Sequence, residues 1–408
     1  MNPDLAPAQH DSARATTRIG LKETPFAPRL RPLNQFEALE YWQGYWSPAH
    51  FGNMEREYFA IRNTASVFDI SPMNKYRITG PDADAFLQRL VTRDVTKISV
   101  GRVAYTVWCD DAGQVIDDGT LFHLGEQDWR LCCQEHQTFW LEASARGFDV
   151  SVREETEEVA GLSLQGPTSF SVLSRLGLGG LETLKPFGIR RWPFRGHELM
   201  VSRTGFTGDL GYELWIAPGG ALDLWDALME AGQGIGGVEP TGSHALNMAR
   251  IEAGFLGAQL DFIPADKAIR AGRTRSPYEL NLGWLVDLAK GQFTGRKALV
   301  EEKARGSRYC LVAVDIEGKE PAEGSLVYHK QKTEVGHITS GIWSPTAKRN
   351  IGLASLKRPF GDTKTEDLWV EIYALHELRW EKVMARVRVV KAPFFEPARR
   401  RATPPLPF

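Results

Sequence analysis

Three short runs in the first third of the chain constrain its fold most. Val103 to Cys109 alternates, and Asp110-Asp111-Ala112-Gly113 then turns the chain. Gln114 to His123 is a second run, Gly125 to Asp128 a second turn, and Trp129 to Cys133 a third run. Period-two alternation punctuated by turn residues predicts an antiparallel meander. Side chains of such a sheet sort by parity. On the second strand Ile116, Asp118, Thr120 and Phe122 are expected on one face, and Asp117 and His123 on the other.

Helical periodicity surrounds this sheet. Met54 to Ala65, Asp82 to Leu90 and His244 to Phe255 read as helices, and Ala221 to Ala231 carries Leu222, Leu224, Trp225 and Leu228 at helical spacing. Asn34 to Trp46 shows no clean period, and Asp261 to Tyr278 reads as a long polar loop. Beyond Lys297 the pattern changes to strands, over Cys310 to Asp315, Leu326 to Tyr328, Glu334 to Thr339, Trp369 to Ile372 and Val383 to Val390. A separate C-terminal β domain follows.

Composition narrows the function classes. A chain of 408 residues, 42% hydrophobic, has ample material for a large core. Its formal charge of −2, from 49 basic and 51 acidic side chains, argues against a nucleic-acid binder. No apolar run approaches the roughly 18–20 residues of a membrane span, so no membrane partner is expected. Met1 to Leu30 lacks the apolar segment of a secretory signal and reads as a flexible tail, which makes the expected location cytoplasmic. Residues 397–408, rich in Arg and Pro, read as a second tail. Cys109, Cys132, Cys133 and Cys310 form no C-x-x-C pair, and the histidines lack ligand spacing, so no metal site is expected. Gly177 to Gly180 follows a helix rather than a strand, which removes the dinucleotide-loop reading.

An ordered set of motifs remains. It begins with Val67-Phe68-Asp69-Ile70-Ser71, Met73 and Ile78-Thr79-Gly80-Pro81. Tyr105 to Val107 follows, then Gly113 and Val115-Ile116-Asp117-Asp118. Leu164-Gln165-Gly166-Pro167 leads to Ser202-Arg203-Thr204-Gly205-Phe206-Thr207-Gly208 and Gly211-Tyr212-Glu213. Arg250-Ile251-Glu252, Phe293-Thr294-Gly295-Arg296 and Thr339-Ser340-Gly341 complete it. Together these resemble the aminomethyltransferase family, the T protein of the glycine cleavage system and its relatives.

The resemblance implies an α+β fold, a three-domain cloverleaf around a central folate-binding funnel, with a C-terminal β-barrel-like domain. One domain would combine 31–72 with 155–290, the meander domain would span 73–154, and the β domain 291–396. The implied cofactor is tetrahydrofolate. Glu213 matches the pterin-binding carboxylate, which suits a group that accepts adjacent N–H donors. Tyr105 matches a folate-contacting tyrosine and Asp118 the catalytic aspartate, whose burial is expected to raise its pKa. Phe206 and Arg250 are expected at the cofactor as well.

The departures from the glycine cleavage enzyme point to a different donor. Its Gly-Ala-Arg-Asp element is matched by His244-Ala245-Leu246-Asn247, which loses a cation and its donors. Its Ser-His-Met is Ser71-Pro72-Met73, and an asparagine of the third strand is matched by Gln134. The loop after Asp261 carries Arg270, Arg273 and Arg275. These changes resemble the demethylase relatives, which move a methyl group from a small donor to N5 of tetrahydrofolate. Trp108, Trp46 and Trp343, with Gln134, are expected to form the substrate pocket, and a methoxyaromatic acid is the expected donor. Tyr105, His244, Tyr212 and His123 are the proton-donor options, with Tyr105 and His244 preferred over His123 on the opposite strand face. An S- or N-demethylase, a glycine cleavage aminomethyltransferase and a non-catalytic folate-binding regulatory protein are the alternatives. A lipoyl carrier protein, which the aminomethyltransferase needs, is not expected as a partner.

Overall fold

A computed structural model describes residues 20–405. It is a mixed α/β molecule in which the three main sheets carry three hydrophobic cores. The first is six-stranded, in the order Ile189–Phe194, His197–Ser202, Gly211–Ile216, Ala160–Gln165, Ala65–Asp69, Val238–Pro240. All pairs are antiparallel except the last. Leu162, Leu164, Leu199 and Leu214 of one face bury against Leu224 and Leu228 of the helix Ala221–Gly232.

The expected meander forms the second sheet. Arg102–Cys109, Val115–Gly125 and Asp128–Cys133 pair in sequence, and Asn74–Thr79 and Ser151–Glu154 extend the sheet. Phe86, Leu87 and Leu90 of the helix Ala83–Leu90 pack on Trp108, Leu121 and Trp129. The third sheet is a closed six-stranded barrel, Tyr309–Ile316, Arg349–Lys357, Thr333–Ser344, Leu326–His329, Leu368–His376 and Arg379–Val390.

The structure corrects several expectations. Register shifts by one between Trp108 and Cys109, so Asp117 faces Trp108 while Val115 faces Cys109. Ile116 is the extra residue of this β-bulge. It joins the core with Trp108 and Leu121, on the face opposite Asp118, because a bulge resets strand parity. Asn34 to Trp46, without a period, contains the antiparallel strand Leu39–Trp42, whose partner Tyr45–Pro48 begins inside the same stretch. The described part of the expected N-terminal tail reaches the core: Phe26 precedes the helix Ala27–Leu30 and Leu30 ends it, and Phe26 meets Trp225 at 6.4 Å. Apolar side chains that near a core dock there, and the polar flanks hid them. Residues 1–19 lie outside the described residues. Residues 397–405 are held as well, with Arg399 ion-paired to Asp209, while 406–408 lie outside the described residues. Among the described residues no helix is long and apolar enough to cross a membrane.

Candidate functional site

The two open sheets meet where the Phe122 ring stands edge-on to Trp215 at 5.5 Å. Phe68, Ile70, Val103, Cys132 and Met200 complete this contact. Cross-strand pairing sets Phe122, Thr120 and Asp118 on one face with Val103, Tyr105 and Val107. Further along that face, Val107, Cys109 and Val115 bury against Phe262 and Leu280 and against Leu311 and Leu353 of the barrel. Tyr105, Thr120 and Asp118 lie between these two dry contacts and are only partly buried. On the opposing sheet, Glu213 shares its face with Trp215 and is also partly buried. The result is a polar recess framed by apolar packing, the usual form of a small-molecule site.

Asp118 forms one wall. Tyr105 Oη donates to its Oδ2 at 2.6 Å. Burial pushes the Asp118 carboxyl up to about 6, against the downward pull of that hydrogen bond. Burial also drives the Tyr105 phenol well above its ordinary value, with the Asp118 carboxylate adding to the shift. Asp117, on the other face, is fully buried and accepts from the backbone N–H of Asp118 at 2.9 Å and of Glu135 at 3.0 Å. It fixes the bulge and so the aim of Asp118. Glu135 in turn is ion-paired to Lys267 and accepts from Gln259 Nε2 at 2.5 Å.

Glu213 forms the other wall. Thr204 Oγ1 donates to its Oε2 at 2.5 Å, with Ser202 Oγ at 3.5 Å. Among the described hydrogen bonds none falls on Oε1. Burial pushes this carboxyl up to about 7, with the two hydroxyls opposing the shift. Gln165 positions the loop: its Nε2 donates to the Thr204 carbonyl at 3.2 Å, and Thr207 Oγ1 donates to its Oε1 at 2.9 Å. A Cβ at Gly205 would stand 2.1 Å from Gln165 Oε1, so any larger residue there would push the Gln165 amide off its hydrogen bonds. An open oxygen on a desolvated carboxyl, with the other oxygen held by hydroxyls, fits a ligand that presents adjacent N–H donors, as a pterin does.

Other sequence-predicted residues do not gather here. Arg250 is fully buried and committed: Nε to Asn247 at 2.8 Å, Nη1 to Asp261 at 2.6 Å and to the Phe255 carbonyl at 3.0 Å, and Nη2 to Ser340 Oγ at 2.7 Å. It ties the helix Ser243–Glu252 to the barrel and is not a ligand-facing group. His244 is exposed at the helix start, 3.1 Å from Glu40 and 3.2 Å from Met54 Sδ, with no described contact to Asp118 or Tyr105. Trp108 is fully buried in the meander core. Trp46 lines a separate recess with Leu21, Arg31 and Leu39. Trp343 lies on the barrel's outside beneath Lys319, and Gln134 is exposed. The expected substrate pocket of Trp108, Trp46, Trp343 and Gln134 is therefore not assembled. Trp108 and Trp46 find apolar cover elsewhere, the default for a large aromatic side chain, while Trp343 stays 39% exposed. Phe206 is 40% exposed and stacks on Phe255 at 5.6 Å. His123 stacks on Trp129 at 3.8 Å, outside the recess. Arg275 is buried over the Tyr309 ring at 4.0 Å.

Sequence reasoning missed three apolar residues. Trp42, Met73 and Leu246 pack against the Phe68–Met200 contact at the base of the recess. Met73 and Leu246 lie in two of the departing motifs, which was a usable signal. Trp42 had none.

Comparisons identify the fold. A family model described as the GCVT N-terminal domain matches residues 31–290. The glycine cleavage T-protein C-terminal barrel domain matches residues 309–396. An aminomethyltransferase of Herpetosiphon aurantiacus is 32% identical over 383 residues, covering 92% of this chain and 99% of the relative. One from Bacillus subtilis is 31% identical over 362 residues, covering 86% and 94%. The crystal structure of the glycine cleavage system aminomethyltransferase T from Bartonella henselae superposes with a TM-score of 0.80 at 25% identity, covering 92% of this chain and 98% of that one. Fold and site together define a tetrahydrofolate-dependent one-carbon transferase. The chain belongs to the glycine cleavage T-protein, or aminomethyltransferase, family.

Proposed function

We propose that this chain transfers a one-carbon unit from an aminomethyl donor to tetrahydrofolate in the recess between the sheets. The observation that carries the reading is the Tyr105–Asp118 pair on one wall and Glu213, with an open oxygen, on the other. Tetrahydrofolate, when bound, supplies a nucleophilic ring nitrogen. Glu213 Oε1 accepts N–H donors of the pterin, while Thr204 and Ser202 hold its Oε2. Two folate nitrogens take the methylene carbon as its bonds to nitrogen and to the lipoyl sulfur break, and their two protons end on ammonia and on the thiol. Asp118, with a carboxyl near 6, is poised to give a proton to the leaving amine and to take one back. Tyr105 fixes the orientation of that carboxyl. Relatives named aminomethyltransferase support this reading over the methoxyaromatic one. On this reading its partner is a lipoyl carrier protein, contrary to the expectation from the sequence.

A second reading, methyl transfer from a sulfonium or methylamine, is favoured by Leu246. It packs with Trp42 and Met73 where the glycine cleavage enzyme carries an arginine. An apolar wall suits a methyl whose heteroatom leaves as a neutral group and needs no acid. The methoxyaromatic donor loses its basis with the dispersal of its tryptophans.

The test is to incubate the protein with tetrahydrofolate and each of four donor classes. These are an aminomethylated lipoyl carrier protein, dimethylsulfoniopropionate, dimethylglycine and methoxybenzoates. Mass spectrometry reads the folate product. A methylene-level folate from the carrier supports the first reading, and a methyl folate from the sulfonium or amine supports the second. Folate binding without product from any donor overturns both in favour of a non-catalytic folate-binding protein.

A further inference from the structure

We propose that residues 397–405 are a strap that sets the folate-side loop, with Arg399 and Arg203 as its positioning residues. The matched barrel domain ends at residue 396, and the strap begins directly after it. It crosses back to the six-stranded sheet and holds both ends of the loop 204–208. At one end Arg203, buried, donates through Nη1 to Thr403 Oγ1 at 2.9 Å and to the Leu184 carbonyl at 2.9 Å. Its Nη2 donates to the Ala402 carbonyl at 2.6 Å and to that of Arg400 at 3.4 Å. At the other end Arg399 grips Asp209 with both branches, Nε to Oδ1 at 2.6 Å and Nη2 to Oδ2 at 2.7 Å. Between them the Arg400 guanidinium lies over the Phe255 ring at 5.1 Å, and Phe255 stacks on Phe206 of the loop at 5.6 Å.

The consequence reaches the site through one hydrogen bond. Thr204, directly after Arg203, donates to Glu213. Without the strap, the Arg203 guanidinium keeps the Leu184 carbonyl but loses its strap partners, and the buried Asp209 loses its bidentate arginine and keeps the Leu210 N–H, at 2.7 Å, and Arg62, at 3.6 Å. A desolvated charge that loses most of its hydrogen-bond partners drives rearrangement, and the nearest backbone free to move is the exposed tip at Gly205 and Phe206. A bidentate arginine–carboxylate pair is suited to fixing position because two parallel bonds set an angle as well as a distance. The strap therefore tunes folate affinity and leaves the Asp118 side untouched.

This inference rests on reading Glu213 as the folate carboxylate. Three variants of the full enzyme separate the two claims: Arg399→Gln, a chain ending at Glu396, and Glu213→Gln. The readouts are the tetrahydrofolate Kd by calorimetry, and KM for each substrate with kcat. The strap predicts that Arg399→Gln weakens tetrahydrofolate binding about tenfold, the effect of one lost charge-assisted hydrogen bond. The shortened chain weakens it at least as much, while kcat and the donor KM change less than about threefold. Unchanged folate affinity in Arg399→Gln, alongside weakened binding in Glu213→Gln, overturns the strap alone. A parallel fall in kcat and both affinities in Arg399→Gln also overturns it, because that is general destabilisation. Unchanged folate affinity in Glu213→Gln overturns the site reading beneath it.

Discussion

Loss of water holds the carboxyls of Asp118 and Glu213 above their ordinary range, at about 6 and about 7. Each therefore binds its proton more tightly in the folded than in the unfolded chain. The stability such a group lends is complete below about pH 4 and is lost as pH rises through the folded value. The ligand-free Asp118→Asn and Glu213→Gln variants should thus unfold at higher temperature than wild type at pH 8 and almost together with it at pH 4. Partial exposure limits the gain to about 1–2 kcal/mol each. Scanning calorimetry at the two pH values checks this, and a loss of stability at pH 8 contradicts it. Tyr105→Phe removes a hydrogen bond that favours ionised Asp118, so the alkaline limb that Asp118 sets as proton donor in kcat/KM should move up from about 6 by up to about one unit. These three residues stood out in the sequence because each lies in one of the ordered motifs. Arg250 was misread for the same reason: a motif reports that an arginine is present, and only packing reports that Asn247, Asp261 and Ser340 have consumed it.

At the scale of elements, the meander was legible because alternation and turn residues are local signals. The bulge inside it was not. Ile116 is as apolar as its neighbours, and only the register shift opposite Trp108 shows that it has left the Asp118 face. That shift leaves the recess face to Tyr105, Thr120 and Asp118, with Ile116 in the core behind them. The hairpin of Leu39–Trp42 and Tyr45–Pro48 escaped notice because burial along its first strand does not alternate. The loop 204–208 depends on contact between two motifs, since Gly205 exists to admit the Gln165 side chain. Gly205→Ala should destabilise by about 1–3 kcal/mol through overpacking and weaken folate binding with it. A lower denaturant midpoint at unchanged slope is the expected observation, and an unchanged midpoint contradicts the close approach.

On the scale of the whole molecule, the barrel is joined to the helices Met54–Asn63 and Ser243–Glu252 by buried charge as well as by apolar contact. Arg250 reaches Asp261 and Ser340, and Arg62 reaches Glu252 at 2.6 Å, which also accepts from Tyr58 at 2.6 Å. Arg250→Ala leaves Asp261 buried without its cation, which should cost about 3–5 kcal/mol. The barrel and the folate-binding part should then melt in separate transitions where wild type shows one, and a single unshifted transition contradicts the junction. None of this architecture follows from periodicity. The three-part arrangement was legible only through the ordered motifs, because a sheet assembled from Ala65–Asp69 and, far along the chain, Ala160–Ile216 leaves no local mark.

The most direct test of the folate cleft is the proton balance of tetrahydrofolate binding. Glu213 must be ionised to accept the pterin N–H groups, and in the free protein its carboxyl sits near 7. Titration calorimetry at pH 6.5, in buffers of different ionisation enthalpy, should show release of about three-quarters of a proton on binding. The release should vanish in Glu213→Gln, with affinity lowered. Tight binding with no proton release in wild type, or the same release in Glu213→Gln, contradicts the account.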